Sequence, residues 1–157
     1  MSKKIVVELD DIKFSAILLE TEEPELCEIL WNDLEKPMKM IGGHTLSTGN
    51  LAEGFARPSR EPVKTGTQAN PVGRKKWMLS QLEPGMIIYD PARSIHFCYG
   101  ETKGTITEPL LANSSVVAKV DEEDLDRCNE IGKRLWNSHF NTHCLEIMTV
   151  KREERKE

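Results

Sequence analysis

Nowhere does this chain hold a run near the ~18 consecutive apolar residues that a membrane-spanning helix needs. Met1-Ser2-Lys3-Lys4 leads directly into a strand pattern, not into the apolar core of a secretory leader. A protein that stays in the cytoplasm is expected. Cysteine is scarce and has no metal-binding rhythm: Cys27, Cys98, Cys128 and Cys144 show no Cys-x-x-Cys spacing, and each sits in an apolar pattern. Reduced, buried thiols are therefore expected, not a disulfide framework or a zinc ribbon. Excess positive charge is lacking too, since the net charge is −5, which argues against general nucleic-acid binding. Internal repeats are absent, and Gly42-Gly43 has neither the Lys-Ser/Thr ending nor the following helix of a phosphate loop. No nucleophile elbow surrounds Ser47, Thr48 or Cys98.

What is present organises around residues 82–100, LEPGMIIYDPARSIHFCYG. Two apolar runs, Met86 to Tyr89 and Ile95 to Tyr99, flank a centre whose Pro91 lacks the N–H that a ladder requires. This predicts a hairpin in the wall of a barrel. Upstream, Ile5, Val7 and Leu9 alternate with Lys4, Val6 and Glu8, and Ile12, Phe14, Ala16 and Leu18 alternate again after Asp10-Asp11. That pattern is a second hairpin. Pro24 opens a helix whose Leu26, Ile29, Leu30 and Leu34 fall on one face, and Lys36-Pro37 stops it. The helix should plug one barrel end, with Trp31 in the core. Residues 37–76 are rich in glycine and proline, with short strands expected at Thr45 to Ser47 and Leu51 to Ala56. A long irregular stretch of this kind points to function. Val116 to Val120 reads as a strand, Asp121 as the cap of a helix with a Leu125, Cys128, Ile131, Leu135 stripe, and residues 143–150 as a closing strand.

The sum is a single domain over residues 1–150 with a charged tail at 151–157: mainly β, two helices, a mostly antiparallel closed barrel capped by helices. Strictly alternating βα units are absent, which excludes a doubly wound sheet or an eight-fold α/β barrel.

Residues 5–36, with LLETEEPELCEILWNDL after two strands, resemble the opening of cyclophilins. Ala69-Asn70-Pro71, Leu82 to Asp90, Phe97-Cys98-Tyr99-Gly100 and Ile131-Gly132-Lys133-Arg134-Leu135-Trp136 resemble a bacterial cyclophilin-like family known as a domain of unknown function. The resemblance implies a cyclophilin-like barrel, with peptide or proline binding as one reading. The Phe-His-Arg setting and the Gln-x-Gly-Asp segment of the prolyl isomerases do not occur here, so the fold is implied and the isomerase is not.

Charge is unevenly placed. Residues 53–76 carry a net +4 and the remainder −9. Arg57 and Arg60, with Arg74-Lys75-Lys76 nearby, can pair with a carboxylate or phosphate, or can equally be a solvated loop. His44 and His96 are the candidate acid–base residues, each also readable as a hydrogen-bonded structural histidine. On a strand, His96 shares a face with Ser94 and Cys98 and opposes Ile95, Phe97 and Tyr99. Asn70, Tyr99 and Glu108 complete the substrate-binding set with Arg57 and Arg60, and Glu53 is a weaker candidate acid. His139 and His143 have chelating spacing if helical, but no third ligand accompanies them, so no metal and no cofactor are expected. The reading that results is a small anionic metabolite bound, and converted if the histidines act, in a barrel-rim pocket. The other classes are a peptide or proline binder and a non-enzymatic homodimer or higher homo-oligomer paired through a strand edge.

Overall fold

The computed structural model describes residues 2–46, 48–57, 73–75, 77–102 and 115–154. Its strands are β1 (Lys4–Leu9), β2 (Ile12–Leu18), β3 (Met38–His44), β4 (Gly49–Ala56), β5 (Met86–Asp90), β6 (Ser94–Thr102), β7 (Ser115–Val120) and β8 (Ile147–Arg152). They close into a barrel in the order β1-β2-β7-β5-β6-β4-β3-β8, and every pairing is antiparallel. Helices α1 (Pro24–Asp33) and α2 (Leu125–Asn137) cap it.

Turn chemistry sets the hairpins. Between β1 and β2, Asp10 takes φ 53°, the left-handed geometry that a two-residue hairpin turn demands. In the β5–β6 turn, Asp90 Oδ1 accepts the Ala92 N–H at 2.8 Å and Arg93 adopts φ 67°. An aspartate that caps its own turn explains why Pro91 can sit there without breaking the hairpin.

Alternation then divides the wall into two faces. Ile5, Val7, Leu9, Phe14, Ala16, Met38, Met40, Ala52, Ile87, Tyr89, Ile95, Phe97, Val117, Met148 and Val150 fill the interior. Leu26, Cys27 and Leu30 of α1 enter from the end where β5 finishes and β6 begins, and Tyr89 Oη donates to Asp33 at 2.6 Å there. Cys128, Ile131 and Leu135 of α2 close the other end. Outside the barrel a second apolar layer forms where Trp77, Leu79 and Leu82 cover Met86, Ile88, Cys98 and Val116.

Several expectations need correction. The stretch after Pro37 is a full strand, and it ends at His44 where a strand from Thr45 to Ser47 was expected. Gly42-Gly43 dilutes the apolar alternation of Met38 and Met40, so the strand is hard to read. Asp121 does not cap a helix with its side chain. Its carboxylate takes Lys4 Nζ at 2.6 Å, while Asp124 accepts the Ser15 N–H at 2.8 Å. The last strand runs from Ile147 to Arg152 rather than 143–150, so the sheet absorbs the start of the charged tail. Cys144 is exposed, unlike the other three cysteines. Each strand has neighbours on both sides, so among the described residues no sheet edge is left to pair with another copy.

One buried carboxylate ties the outer layer down. Glu23, 1% exposed, accepts the Arg74 N–H at 2.7 Å on one oxygen. On the other it accepts the Lys75 N–H at 2.8 Å, with Ser115 Oγ also 2.8 Å away. Removing the carboxylate would deprive two backbone amides of their acceptor and leave Ser115 Oγ with only the Lys75 carbonyl at 2.9 Å. Glu23→Ala is therefore expected to cost about 2–4 kcal/mol, read from the urea unfolding midpoint. A loss under about 0.5 kcal/mol would show that Glu23 is a passive surface acid.

Candidate functional site

Two histidines were singled out, and the barrel wall separates them. His44 ends β3 on the inward face, 2% exposed. Its Nδ1 lies 2.8 Å from the Thr45 carbonyl, which can only accept, so Nδ1 carries the hydrogen. Nε2 then accepts the Tyr99 hydroxyl at 2.7 Å. Burial holds the His44 pKa below its ordinary value and pushes the Tyr99 hydroxyl up to about 12. The pair is thus neutral and fully engaged. The Tyr99 ring lies flat on Gly132 of α2, where any Cβ would overlap it, and the Tyr99 carbonyl accepts Asn129 Nδ2 at 3.0 Å. His44 and Tyr99 together lock a barrel end to its cap.

His96 points the other way. On the outer face it stands directly across from Glu53 of β4, and Nε2 donates to Oε2 at 3.1 Å. A carboxylate only accepts, so Nε2 carries a hydrogen and Nδ1 is the ring nitrogen left for another partner. An oriented imidazole backed by a carboxylate is an acid–base arrangement. Both side chains are largely shielded from solvent.

The register extends this pair into two parallel rows. His96, Glu53 and Gly43 are successive cross-strand neighbours on β6, β4 and β3. Two residues along, Phe55, Ile41 and Ile147 are likewise neighbours on β4, β3 and β8. These three are 48%, 52% and 43% exposed, so an apolar strip lies open beside a polar one. The Phe55 ring stands edge-on to His96, centroids 6.4 Å apart. Arg57 follows Phe55 by two residues, exposed, just past the end of β4.

The expected site residues therefore separate. His96 and Arg57 border the open face, and His44 and Tyr99 belong to the interior. A shared His44–His96 pocket does not form, because residue 44 and residue 96 occupy opposite faces. Arg60, Asn70 and Glu108 lie outside the described residues. Of the other cations, Arg74 pairs with Glu25 at 3.5 Å and Lys75 Nζ sits 4.0 Å over the Trp77 ring. Those two are used locally. Among the described residues no group of three or more His, Cys, Asp or Glu side chains is placed to hold a metal ion. His139 lies in a π-helical turn (Ser138–Thr142) after α2 and accepts the His44 N–H on Nδ1 at 3.4 Å. Glu53 as the partner of His96 emerges only from the β4–β6 register, which strand alternation alone does not specify.

The fold has known counterparts. McbB, solved in complex with tryptophan, superposes with a TM-score of 0.77 at 23% identity over 98% of this chain and 46% of McbB. This chain thus spans about half the length of McbB. The hypothetical protein AF2241 from Archaeoglobus fulgidus gives a TM-score of 0.54 at 13% identity, over 97% of this chain and 95% of its own. No family model and no curated protein matches. These likenesses establish the barrel architecture.

The interior pair makes stability depend on pH. Between the depressed His44 value and its ordinary 6.5, the unfolded chain binds a proton that the folded chain refuses. This contribution is complete above 6.5 and is lost as pH falls through that window, at no more than about 1.4 kcal/mol per pH unit. Replacing the imidazole in His44→Gln should flatten that part of the profile, measured as urea midpoints from about pH 8 down to about pH 5. Parallel profiles for the two proteins would show that His44 does not titrate against folding.

Proposed function

We propose that this chain binds a small amphiphilic organic acid on the outer face of β6, β4 and β3, with the His96–Glu53 pair placed for proton transfer to or from the ligand. The observation that supports this is the juxtaposition of the two rows. An apolar group would cover Phe55, Ile41 and Ile147, removing exposed hydrocarbon from water. Its polar end would then meet His96 and Glu53. Arg57, at the end of the same strand, supplies a guanidinium for a carboxylate.

His96 is preferred over His44 for the chemistry, because both ring nitrogens of His44 are taken and it has no outlet from the interior. Binding of tryptophan by McbB, a ligand with a carboxylate and a large apolar ring, is in keeping with this class of molecule on this fold. Prolyl isomerisation gains no comparable support, since neither the Phe-His-Arg setting nor the Gln-x-Gly-Asp segment is in the chain.

The test is a thermal-shift panel of aromatic and branched aliphatic acids, tryptophan included, against the native protein, Arg57→Ala and Phe55→Ala. A ligand present at ten times its Kd adds about 1.4 kcal/mol, or roughly 3–6 °C in Tm for a chain of this size. Both variants should shrink that shift while retaining the native Tm without ligand. If no acid stabilises the native protein, or if the shift survives both substitutions undiminished, the reading is wrong.

A further inference from the structure

We infer that the corner where α1 turns into β3 binds the head group of an α-amino acid, its carboxylate taken by Arg93 and its ammonium by Asp33. This site shares no residue with the outer-face rows and stands independently of them. The chain makes the corner for a simple reason. Pro37 cannot continue a helix, so α1 closes with the Leu34 N–H on the Leu30 carbonyl at 3.0 Å and the Glu35 N–H on the Asn32 carbonyl at 3.1 Å. At this turn a cavity of about 290 Å³ opens, lined by Asn32, Asp33, Glu35, Lys36, Met38 and Arg93. Its volume is at the small end for ligand pockets, which suits a small metabolite better than a peptide.

Two charges in the cavity are fixed in place yet only loosely joined. Asp33 accepts the Tyr89 hydroxyl on Oδ2 at 2.6 Å, and its Oδ1 is the oxygen nearer Arg93. Arg93 Nη2 stands 3.9 Å from that oxygen, an ion pair too long for a hydrogen bond. The Arg93 backbone is anchored, since its N–H donates to the Asp90 carbonyl and its own carbonyl accepts the Ala56 N–H, both at 2.9 Å. That hold comes with φ 67°, a left-handed geometry that glycine or asparagine takes at lower cost. The turn alone does not call for arginine, whereas a guanidinium lining the cavity does.

An α-amino acid carries its ammonium and its carboxylate on one carbon. Its two charges can therefore lie antiparallel to a guanidinium and a carboxylate set side by side. Lys36 adds a second cation to the lining and Glu35 a second acid. A plain anion would meet two carboxylates there, and a plain cation two positive groups, so only a zwitterion satisfies both pairs. The C-terminal end of α1 carries partial negative charge, and the helix has no basic residue in its last turn. Arg152 of β8 takes the Trp31 carbonyl at 3.0 Å, and the next two residues, Asn32 and Asp33, line the cavity. That end of the lining favours the ammonium.

The experiment titrates L-alanine into the full chain and follows heat and amide chemical shifts. Propanoate, which is L-alanine without its ammonium, and ethylamine, which is L-alanine without its carboxylate, are the controls. L-alanine should bind with a Kd of about 1 mM or below, and the shifts should centre on residues 32–38 and 93. Each control should bind at least about tenfold more weakly, because it leaves one of the two charges unanswered. Arg93→Gly suits the left-handed turn, and Asp33→Asn keeps an acceptor for Tyr89, so both variants should fold. Each should weaken L-alanine at least about tenfold. The site is refuted by any of four results: no saturable binding below about 10 mM, shifts centred elsewhere, equal binding of either control, or affinity that survives either substitution.

Discussion

The outer face depends on how closely α2 approaches β6. Gly132 lets the helix backbone rest on the flat of the Tyr99 ring, and a single methyl group at that position would prevent it. That approach brings Leu135 over Gly42, and it carries the π-helical turn that follows α2 up to the end of β3. His139 then reaches the His44 amide, and the rim of the barrel gains an imidazole from a distant part of the chain. The interior hydrogen bond from Tyr99 to His44 fixes the same junction from within. Buried polar pairs of this kind specify one arrangement, because any shift strands a donor in an apolar interior. The geometry of the exposed rows is thus inherited from a contact inside the barrel.

Alternation made much of this legible and concealed the rest. The Ile5 to Leu18 hairpin, the Pro24 helix and the paired runs around Pro91 are all explicit in residue pattern, since apolar side chains recur at a period of two or of 3.6. The same rule put His96 on the face opposite Tyr99, where the structure has it. It failed at Met38 to His44, because two glycines replace the residues that would have completed the pattern. Gly42 answers a neighbour far away in sequence, since a Cβ there would meet Leu135, whereas a Cβ at Gly43 would make only ordinary contacts with His139 and Glu53. Register was illegible for a related reason. Which residue faces Glu53 is decided by closure of eight strands and by the irregularity between Gly49 and Leu51, and neither is a local property.

The cationic segment divides between structure and surface in a way that its composition could not reveal. Arg74 and Lys75 look like an anion site in sequence, yet their backbone amides serve Glu23 and their side chains serve Glu25 and Trp77. The segment is held by its backbone amides on Glu23 and not by its positive charge. Exposed pairs such as Arg74 with Glu25 contribute little by themselves. The buried carboxylate of Glu23 matters more, since it accepts from two backbone amides and a hydroxyl at once.

Glu53 joins two strands of the outer face through one side chain. It stands across from His96 on β6 and from Gly43 on β3, and its Oε2 accepts the hydrogen on His96 Nε2 at 3.1 Å. A carboxylate held across a strand pair orients the ring, because turning the imidazole would lose that hydrogen bond. The β4–β6 register therefore decides which way His96 presents Nδ1, and the apolar row of Phe55, Ile41 and Ile147 inherits the same register.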